Sequence, residues 1–494
     1  MDEQGTTTTE GEPASKVSVI GRKAGRGLRW TLFGTVVTKL GSFVMSLVLA
    51  RLLVPEDFGL YAIALTAMQF VIHVNDVGII AATVQWRGKL EDMAATASTL
   101  ALLFSAGWYA VFWFAAPAFA ELAGSPQATP VVRLLTAVIL VDGITAVRVA
   151  ALQRRFQQDQ LTKALMAGFM VNAALAVSLA ANGAGPYSFV LGQLAASAVA
   201  GVLEMIFAGL PVRFGLDRVV ARRLIRFGIP LAAGLGVESV LLNADYVIVG
   251  HALGTAAVGF YLLAFNVSSW VHGFVGTAVR YVSIAGFSRL AEDKPETLSL
   301  GVQRALPVLF AAVLPIAVLM AVLPSQIIVV LYGGQWAASA AVLRFLAVLM
   351  IGRLLTGIAF DILTSLGATR STVWLNLGWC VALVPALMIG TRLDGIRGAA
   401  IAHAVVTLLV AMPLAVLALH RGGVHLRPVA PALVRPLCGG AAAAVIMLSV
   451  AWLTGPTPIV QLGLAGAAGL LGYLLIAVPP SQIRELRARL GAAT

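Results

Sequence analysis

Charge is scarce in this chain. Lysine, arginine, aspartate and glutamate make up 11% of its 494 residues, whereas they make up about 25% of an ordinary soluble domain. Apolar residues account for 59% before the 49 glycines are counted. A soluble chain of this length needs charged side chains to cover its surface, so the composition excludes a cytosolic enzyme, a secreted domain and a disordered regulator. It indicates a protein whose solvent is lipid.

Cysteine is also rare, and two familiar sequence signals are missing. Cys380 and Cys438 both lie in apolar stretches, which excludes a disulfide framework or a cysteine metal cluster. No G-x-x-x-x-G-K-[ST] phosphate loop occurs, so the chain alone is not an ATP-driven pump. The first apolar run begins near Trp30 after a polar leader, and we expect no signal peptide. We also expect no bound metal and no cofactor.

Apolar runs recur along the chain, and a membrane-spanning helix needs about 20 apolar residues. We predict an all-α integral membrane protein with about fourteen transmembrane helices. The predicted spans are residues 30–50, 58–83, 94–117, 129–150, 162–182, 186–209, 227–250, 256–280, 304–332, 338–366, 372–391, 396–419, 432–454 and 459–478. The run 304–332 is the least regular, because Pro307, Pro315 and Pro324 are expected to bend or break it.

The basic residues alternate from loop to loop in a way that supports this count. Of the 34 lysines and arginines, 27 lie in the loops and termini of one side, and 4 lie in the loops of the other. By the positive-inside rule, both termini are predicted to be cytoplasmic. The net charge of +12 is therefore interpreted as a topology signal, and we expect no nucleic-acid partner.

An internal repeat organises the predicted helices. The segments 58–64 and 258–264 match at an offset of 200 residues, and 132–135 matches 343–346 at an offset of 211. The coinciding pairs of the first match are Gly59/Gly259, Tyr61/Tyr261 and Ala64/Ala264. These matches indicate that spans 1–6 and 7–12 are copies, related by a pseudo-two-fold axis along the membrane normal.

The repeat divides the chain into six predicted regions. They are a cytoplasmic leader (1–29, disordered to about Ser15 and then basic), an N-lobe (30–209), a basic cytoplasmic linker (210–226), a C-lobe (227–419), two extra helices (432–478) and a cytoplasmic tail (479–494).

Ionisable residues lie within the predicted spans, where each costs roughly 2.5–3.5 kcal/mol on insertion scales. Those nearest the span centres are Lys39, His73, Asp142, Glu238, His272 and Arg353, with Asp76, Asp245, Arg280, Arg344 and Asp361 a turn or two away. Several belong to polar stripes at helical spacing on spans 1, 2, 7 and 8. Such stripes fit a water-filled cleft between two lobes. Pairing or packing inside the bundle is an equal alternative for any single residue, and packing is favoured for Glu204 and His403.

Two segments carry a family resemblance. Residues 49–61 resemble the signature between the first two helices of bacterial polysaccharide flippases, which belong to the multidrug/oligosaccharidyl-lipid/polysaccharide exporter superfamily. Residues 331–336, followed by 341–347, are similar to a second recurring segment of that family. The resemblance extends in outline over nearly the whole chain, because the family has two six-helix lobes that are often followed by two more helices.

The resemblance implies alternating access, in which a polyprenyl diphosphate-linked oligosaccharide or polysaccharide precursor crosses the bacterial plasma membrane. A diphosphate needs cationic hydrogen-bond donors. The substrate-binding candidates are Lys39, Arg280, Arg353 and Arg344, with His73 and Asn266 from the same polar stripes.

The resemblance also implies coupling to a cation, because relatives often use a carboxylate on helix 7 for this purpose. The candidates are Glu238 and Asp245, with Asn376 on span 11 as a helper. A second carboxylate within spans 11 or 12 is missing. The sequence therefore does not distinguish coupling to a proton gradient from coupling to a sodium gradient.

Two other functional classes remain as alternatives. A multidrug exporter of the same superfamily differs in substrate and not in fold. A membrane glycan polymerase, ligase or glycosyltransferase is disfavoured, because the predicted outer loops are short and hold few acidic residues. We therefore predict a transporter and not an enzyme. Its expected partners are membrane lipids and the polymerase and glycosyltransferases of the same pathway.

Overall fold

The computed structural model describes residues 12–84, 90–211, 213–270, 295–366 and 368–477. Helices dominate all five ranges, and no strand occurs in them. In lipid, a backbone must satisfy its own hydrogen bonds, which a long apolar helix does along its whole length. The predicted all-α class is confirmed.

The helices up to residue 253 follow the predicted spans closely. They are α1 (Glu12–Leu52), α2 (Pro55–Val84), α3 (Leu90–Leu122), α4 (Thr129–Thr136), α5 (Val138–Arg154), α6 (Gln158–Ala181), α7 (Tyr187–Ala208) and α8 (Arg218–Leu253). A 3₁₀ turn, Pro126–Ala128, precedes α4. Helix α1 begins inside the leader that the sequence predicts to be disordered up to about Ser15, and predicted span 129–150 is divided into α4 and α5.

Helix α9 is described from residue 255 to residue 270. The later helices are α10 (Pro295–Val322), α11 (Pro324–Tyr332), α12 (Ser339–Ser365), α13 (Thr369–Val406), α14 (Met412–Arg421), α15 (Val429–Leu453) and α16 (Pro458–Ala477). A 3₁₀ turn, Gly334–Trp336, lies between α11 and α12, and a π-helical turn, Thr407–Ala411, joins α13 to α14.

The three prolines of predicted span 304–332 behave differently from one another. Pro307 and Pro315 lie inside α10 and do not end it, because neighbouring groups in a helical bundle can take up the hydrogen bonds that proline frees. Pro324 is the first residue of α11, a position where the missing N–H costs nothing. The prediction of one span is therefore corrected to a long helix and a short one.

Helix α13 contains a reversal that separates two predicted spans, 372–391 and 396–419. Asp394 and Gly395 have non-helical backbone angles, and Gly395 has φ 56° and ψ −139°. Gly390 and Gly398 lie against each other, so that a Cβ on Gly398 would overlap the carbonyl oxygen of Gly390. Residues eight apart in a continuous helix are separated by about 12 Å. The chain therefore folds back at Asp394–Gly395, and α13 consists of two arms.

Eleven candidate membrane spans occur among the described residues. One of them, Arg370–Arg421, contains both arms of α13, and the shorter apolar helix Leu241–Leu253 belongs to α8. The protein is a multi-pass membrane protein. The count of fourteen spans and the cytoplasmic position of both termini stay predictions.

The chain forms two compact units. Unit 1 comprises Met1–Leu49, Ala67–Ala116 and Pro130–Gly236, and unit 2 comprises Ala50–Thr66, Pro117–Thr129 and Val237–Thr494. In unit 1, α1 packs on α6 through Gly34 and Gly41, which touch Thr162 and Phe169. In unit 2, the buried residues Phe310, Leu314, Ala443 and Tyr473 join α10, α15 and α16.

Candidate functional site

The two copies of the predicted repeat meet within unit 2 at a pair of glycines. Gly59 on α2 and Gly259 on α9 are both buried. A Cβ on Gly59 would overlap the carbonyl oxygen of Thr255, and a Cβ on Gly259 would overlap the carbonyl oxygen of Pro55. Pro55 and Thr255 are themselves separated by the offset that relates the two glycines, so the two contacts are reciprocal. Only glycine allows two helix backbones to approach this closely.

A second reciprocal contact joins helix ends around this crossing. The Arg51 guanidinium at the end of α1 donates to the carbonyl oxygens of Val330 (3.1 Å) and Leu331 (3.3 Å) at the end of α11. His251, which the same offset relates to Arg51, has its Nδ1 atom 3.0 Å from the carbonyl oxygen of Leu122 at the end of α3. Basic groups at the C-termini of helices satisfy orphan carbonyl groups and complement the helix dipole.

Trp336 connects the two segments that carry the family resemblance. Its indole N–H donates to the carbonyl oxygen of Ala50 at 2.8 Å, and Gln335 donates to the same oxygen at 2.8 Å. The Trp336 ring is fully buried. It lies edge-on to Phe58 and Phe260, with ring centres 4.7 and 6.0 Å away. The two segments are therefore parts of one packed junction, which fixes the ends of α1, α2 and α11.

Unit 2 contains a second group of packed residues, made of polar and aromatic side chains and here called the Asp245 cluster. It comprises Asp245 and Tyr246 on α8, Tyr261 and Phe265 on α9, Arg353 on α12 and His403 on the second arm of α13. The Arg353 guanidinium lies 5.3 Å from the centre of the Phe265 ring, within cation–π range. The Tyr246 ring packs against the rings of Tyr261 and Phe265. Tyr246 and Tyr261 both interact electrostatically with Asp245 and Arg353.

Asp245 and His403 form the centre of this cluster. The side chains are 1% and 3% exposed, and His403 Nδ1 lies 3.7 Å from Asp245 Oδ2. The other carboxylate oxygen of Asp245 accepts the backbone N–H of Tyr246 at 3.0 Å. Within the described part of the chain, neither Oδ2 nor Nδ1 has a hydrogen-bond partner of good geometry, and the Tyr261 hydroxyl interacts with the same carboxylate. The sequence favoured a packing role for His403, whereas the structure brings it to an ion-coupling candidate.

The remaining substrate-binding candidates belong partly to unit 1 and partly to unit 2. Lys39 is half-buried in unit 1, and at 100° per residue it lies roughly 140° around α1 from the Gly34 position that faces α6. His73, also in unit 1, has its Nδ1 atom 2.6 Å from the carbonyl oxygen of Gln69 in the preceding turn of α2. In unit 2, Arg344 is exposed near the start of α12, and Asn266 is half-buried on α9.

Three further predictions have different outcomes. Asn376, the predicted helper, is half-buried on the first arm of α13. Arg280 lies outside the described residues, and the side chain of Glu238 on α8 does so as well. The structure therefore places Arg353, a substrate-binding candidate, in the same cluster as Asp245, an ion-coupling candidate.

Unit 2 also contains an apolar groove of about 480 Å³ between α10, α12, α14 and α15. Its walls include Leu306, Ile358, Met412 and Val416, and Arg427 lies among the lining residues. The groove has the volume and the apolar lining that a hydrocarbon segment needs, and Arg427 adds a cation to its lining.

Solved structures of known proteins share this fold. The lipid II flippase MurJ in an inward closed conformation superimposes with a TM-score of 0.75 at 12% identity, covering 93% of this chain and 99% of that one. A multidrug resistance MATE family transporter of the MOP superfamily, in an inward-facing conformation, superimposes with a TM-score of 0.61 at 16% identity, covering 78% of this chain and 94% of that one. At these identities the likeness establishes the fold.

Sequence relatives come from two bacteria. The succinoglycan biosynthesis transport protein ExoT of Rhizobium meliloti is 28% identical over 331 residues. That match spans 65% of this chain and 65% of ExoT. An uncharacterized membrane protein in the cps region of Klebsiella pneumoniae is 19% identical over 380 residues, covering 76% of this chain and 78% of that one.

The sequence profile of a protein family covers the segments around the junction described above. The profile, described as polysaccharide biosynthesis protein, matches residues 48–341. That range begins at the end of α1, includes the crossing of Gly59 with Gly259, and ends just after Trp336. With more than half of the chain matched, the protein belongs to this polysaccharide biosynthesis family.

Proposed function

We propose that this protein is a flippase that moves a polyprenyl diphosphate-linked oligosaccharide or polysaccharide precursor across the bacterial plasma membrane by alternating access. The observation that carries the proposal is the family match over residues 48–341. It is supported by the likeness to ExoT, a succinoglycan biosynthesis transport protein, and by the fold shared with a lipid II flippase. These relatives support a transport role over an enzymatic one.

The proposed headgroup ligand is a diphosphate, and Arg353 is its favoured contact in unit 2. Its guanidinium lies over the Phe265 ring, and a guanidinium binds phosphate groups through a planar set of hydrogen-bond donors. Lys39 supplies a second cation in unit 1, with His73, Asn266, Arg344 and Arg280 as further candidates. The apolar groove beside α12 is the proposed seat of a prenyl segment.

The proposed energy source is an ion gradient that acts through a carboxylate of α8. Asp245 is supported by its burial and by its place in one cluster with Arg353. Glu238 and Asn376 remain further candidates. An anionic headgroup at Arg353 would change the electrostatic environment of Asp245, because both charges act on the same two tyrosines. Substrate and ion would thus influence each other through one group of side chains.

Multidrug export is the second candidate function. The fold is shared with a MATE family transporter at a TM-score of 0.61. The observation against it is the cation Arg353, which disfavours a cationic drug bound directly at that side chain. If the protein is a flippase, its further partners are the polymerase and the glycosyltransferases that use the same lipid-linked glycan.

Mass spectrometry of polyprenyl-linked lipids tests the proposed function. The chromosomal copy is deleted, and the strain is compared with the wild type and with a strain that expresses the protein from a plasmid. We expect a lipid-linked oligosaccharide to accumulate in the deletion strain, the matching surface glycan to disappear, and the plasmid to reverse both changes. An unchanged lipid profile with new sensitivity to small toxic compounds would reject the flippase and favour drug export.

A further inference from the structure

The basic linker (210–226) runs from the end of α7 into the first turns of α8 and belongs to unit 1. It contains five arginines and a single acidic residue, Asp217. The carboxylate of Asp217 accepts the backbone N–H groups of Val219 (2.7 Å) and Val220 (3.0 Å), so it caps the start of α8. The backbone N–H of Asp217 donates to the Thr96 hydroxyl of α3 at 3.0 Å. The linker therefore carries a large excess of positive charge.

Two further hydrogen bonds hold the linker on α3 and α5. The guanidinium of Arg148, a buried residue of α5, donates to the carbonyl oxygen of Pro211 at 3.3 Å. The backbone N–H of Gly215 donates to the hydroxyl oxygen of Thr99 on α3 at 3.0 Å. Backbone groups of a connecting segment usually bond to water, so their bonds to neighbouring helices fix the position of the segment. These contacts determine which side of the linker is exposed.

The first turns of α8 have two different faces. At 100° per residue, Arg218, Arg222 and Arg226 lie within an arc of about 80°, and all three side chains are exposed. Ala221 and Leu224 lie on the other side of the helix, where they belong to a buried apolar cluster with residues of α3 and α5. The three arginines therefore form one basic stripe that points away from the helices of unit 1.

Apolar side chains are exposed beside this basic stripe. Phe214, Leu216 and Val219 are 60%, 62% and 79% exposed, although they lie outside the predicted spans 186–209 and 227–250. Arginines alone would fit any anionic partner. Arginines next to exposed apolar side chains are typical of segments at a membrane surface, where the apolar groups enter the bilayer and the cations contact headgroup phosphates. The combination therefore favours a lipid surface over an acidic protein or a soluble anion.

We propose that the basic linker is a binding surface for anionic phospholipids of the adjacent membrane leaflet. Its three stripe arginines contact headgroup phosphates, for which the guanidinium has a matching set of donors, and its three exposed apolar side chains enter the bilayer interface. Phosphatidylglycerol has the required charge. This lipid is a component of the membrane and not the transported substrate, so the inference goes beyond the proposed function. Because α8 continues into unit 2, a lipid bound here anchors the start of the helix that carries Asp245.

Fluorescence of one labelled cysteine tests this surface without a transport substrate. Cys380 and Cys438 are replaced by serine, Leu216→Cys is introduced and labelled with nitrobenzoxadiazole, and the full-length protein is reconstituted in phosphatidylcholine nanodiscs. Phosphatidylglycerol then replaces phosphatidylcholine stepwise. We expect the emission to move to shorter wavelength, and lipids with a doxyl group near the headgroup to quench it, because the dye enters the bilayer interface.

The role of the basic stripe is tested by the triple variant Arg218→Gln, Arg222→Gln and Arg226→Gln. One arginine near an anionic membrane surface changes binding by about fivefold. We therefore expect the equilibrium between bound and unbound linker to shift by on the order of 100-fold in the triple variant, which abolishes the response to phosphatidylglycerol. The corresponding triple lysine variant keeps the charge and should retain most of the response.

A second triple variant, Arg304→Gln, Arg370→Gln and Arg421→Gln, is the matched control. These arginines are exposed in unit 2, on the side that the sequence predicts to be cytoplasmic, and their removal lowers the charge by the same amount. The control should keep the full response. Size-exclusion chromatography in detergent confirms that each variant is folded. If the stripe variant fails to fold, salt provides a second test, because the response of the labelled protein should disappear at about 1 M salt, where the screening length is about 3 Å.

Three outcomes overturn the proposed lipid surface. Emission that stays at the wavelength of a dye in water at every phosphatidylglycerol content would show that the linker does not enter the bilayer. Equal losses in the stripe variant and in the control would assign the response to the total charge of the protein. A response to inorganic phosphate in pure phosphatidylcholine nanodiscs would assign the arginines to a soluble anion. These results do not depend on the lipid-linked glycans of the deletion strain, so failure of the flippase function is a separate outcome.

Discussion

Trp336 shows how a single side chain stabilises the junction between the two matched segments. It is fully buried, packs edge-on to Phe58 and donates to Ala50. We expect Trp336→Ala to lower the free energy of unfolding by about 3–5 kcal/mol, since it removes a large buried ring. Trp336→Phe should cost about 1 kcal/mol, because Gln335 still donates to the Ala50 oxygen. Thermal unfolding in detergent measures both changes.

The order of these two variants is the informative part of that experiment. If Trp336→Phe were as damaging as Trp336→Ala, the hydrogen bond to Ala50 and not the packing of the ring would hold the junction. Trp452 provides a matched control, because it is 84% exposed. Its replacement by alanine should leave the unfolding temperature of the protein nearly unchanged.

Arg353 is the residue at which substrate recognition is most directly testable. We expect Arg353→Gln to abolish export while leaving expression intact, because glutamine removes the charge and the two-pronged donor geometry that a diphosphate needs. Arg353→Lys should retain part of the activity, since lysine keeps the charge alone. The amount of lipid-linked glycan that accumulates in cells measures the loss.

Arg370→Gln serves as the control for Arg353, because Arg370 is exposed at the start of α13. It should support normal export. Full activity of Arg353→Gln at normal expression would remove Arg353 from the list of diphosphate ligands.

The sequence named two members of the Asp245 cluster, Asp245 and Arg353, as site candidates. They stood out because an ionisable residue is costly inside an apolar run and therefore marks a candidate functional site. Helical spacing gives the face and the depth of a residue, but it does not tell which helices pack together. The meeting of Asp245 with His403 depends on the packing of α8 against α13, so it could not be derived from either stretch alone.

At the scale of helices, the crossing of α2 with α9 depends on two glycines. We expect Gly59→Ala and Gly259→Ala each to destabilise the protein by about 1–3 kcal/mol or more, because the added methyl group meets a backbone carbonyl that cannot turn aside. The reciprocal geometry predicts that the two variants have similar effects. Unfolding temperature and the yield of monodisperse protein measure them.

Gly357 on α12 offers a control of the same kind within unit 2. Among the described atoms, none lies within 4 Å of the Cβ that alanine would add there. Gly357→Ala should therefore be neutral or stabilising by about 0.5–1 kcal/mol, as alanine is the better helix former. Loss of stability in Gly357→Ala equal to that in Gly59→Ala would contradict the steric explanation.

The sequence predicted helix boundaries well at changes of polarity and less well at prolines. Apolar length placed most spans within a few residues of the observed helices. Pro307 and Pro315 were expected to bend or break their span, and α10 continues through both without a break. In water an interior proline costs roughly 3 kcal/mol, but a bundle in lipid supplies alternative partners for the freed groups. Proline in such a chain is therefore a weaker stop signal than a change in polarity.

At the scale of the whole molecule, the repeat was visible in very few residues. One constant offset linked Gly59 with Gly259 in the sequence, and within unit 2 the structure reproduces that offset in the reciprocal glycine contacts and in the positions of Arg51 and His251. The matching residues lie where helix backbones meet, because few residue types fit there. Elsewhere any apolar side chain of the right size satisfies lipid or a neighbouring helix, so the two copies share little sequence.

The topology of the chain is testable at the reversal in α13. A straight helix over Arg370–Arg421, which contains 52 residues, would be about 78 Å long, more than twice the roughly 30 Å hydrocarbon core. Because the chain turns at Gly395, we expect residues 370 and 393 to lie on opposite sides of the membrane. With both termini inside, Leu393 faces out and Arg370 faces in.

Single cysteines decide this assignment. Cys380 and Cys438 are first replaced by serine, and Leu393→Cys or Arg370→Cys is introduced at an exposed position. A membrane-impermeant maleimide added to intact cells should label Leu393→Cys and should label Arg370→Cys only after the cells are opened. Labelling of both in intact cells would show that the two arms of α13 do not cross the membrane separately. The reverse pattern would place the termini outside and invert the direction in which the proposed flippase moves its substrate.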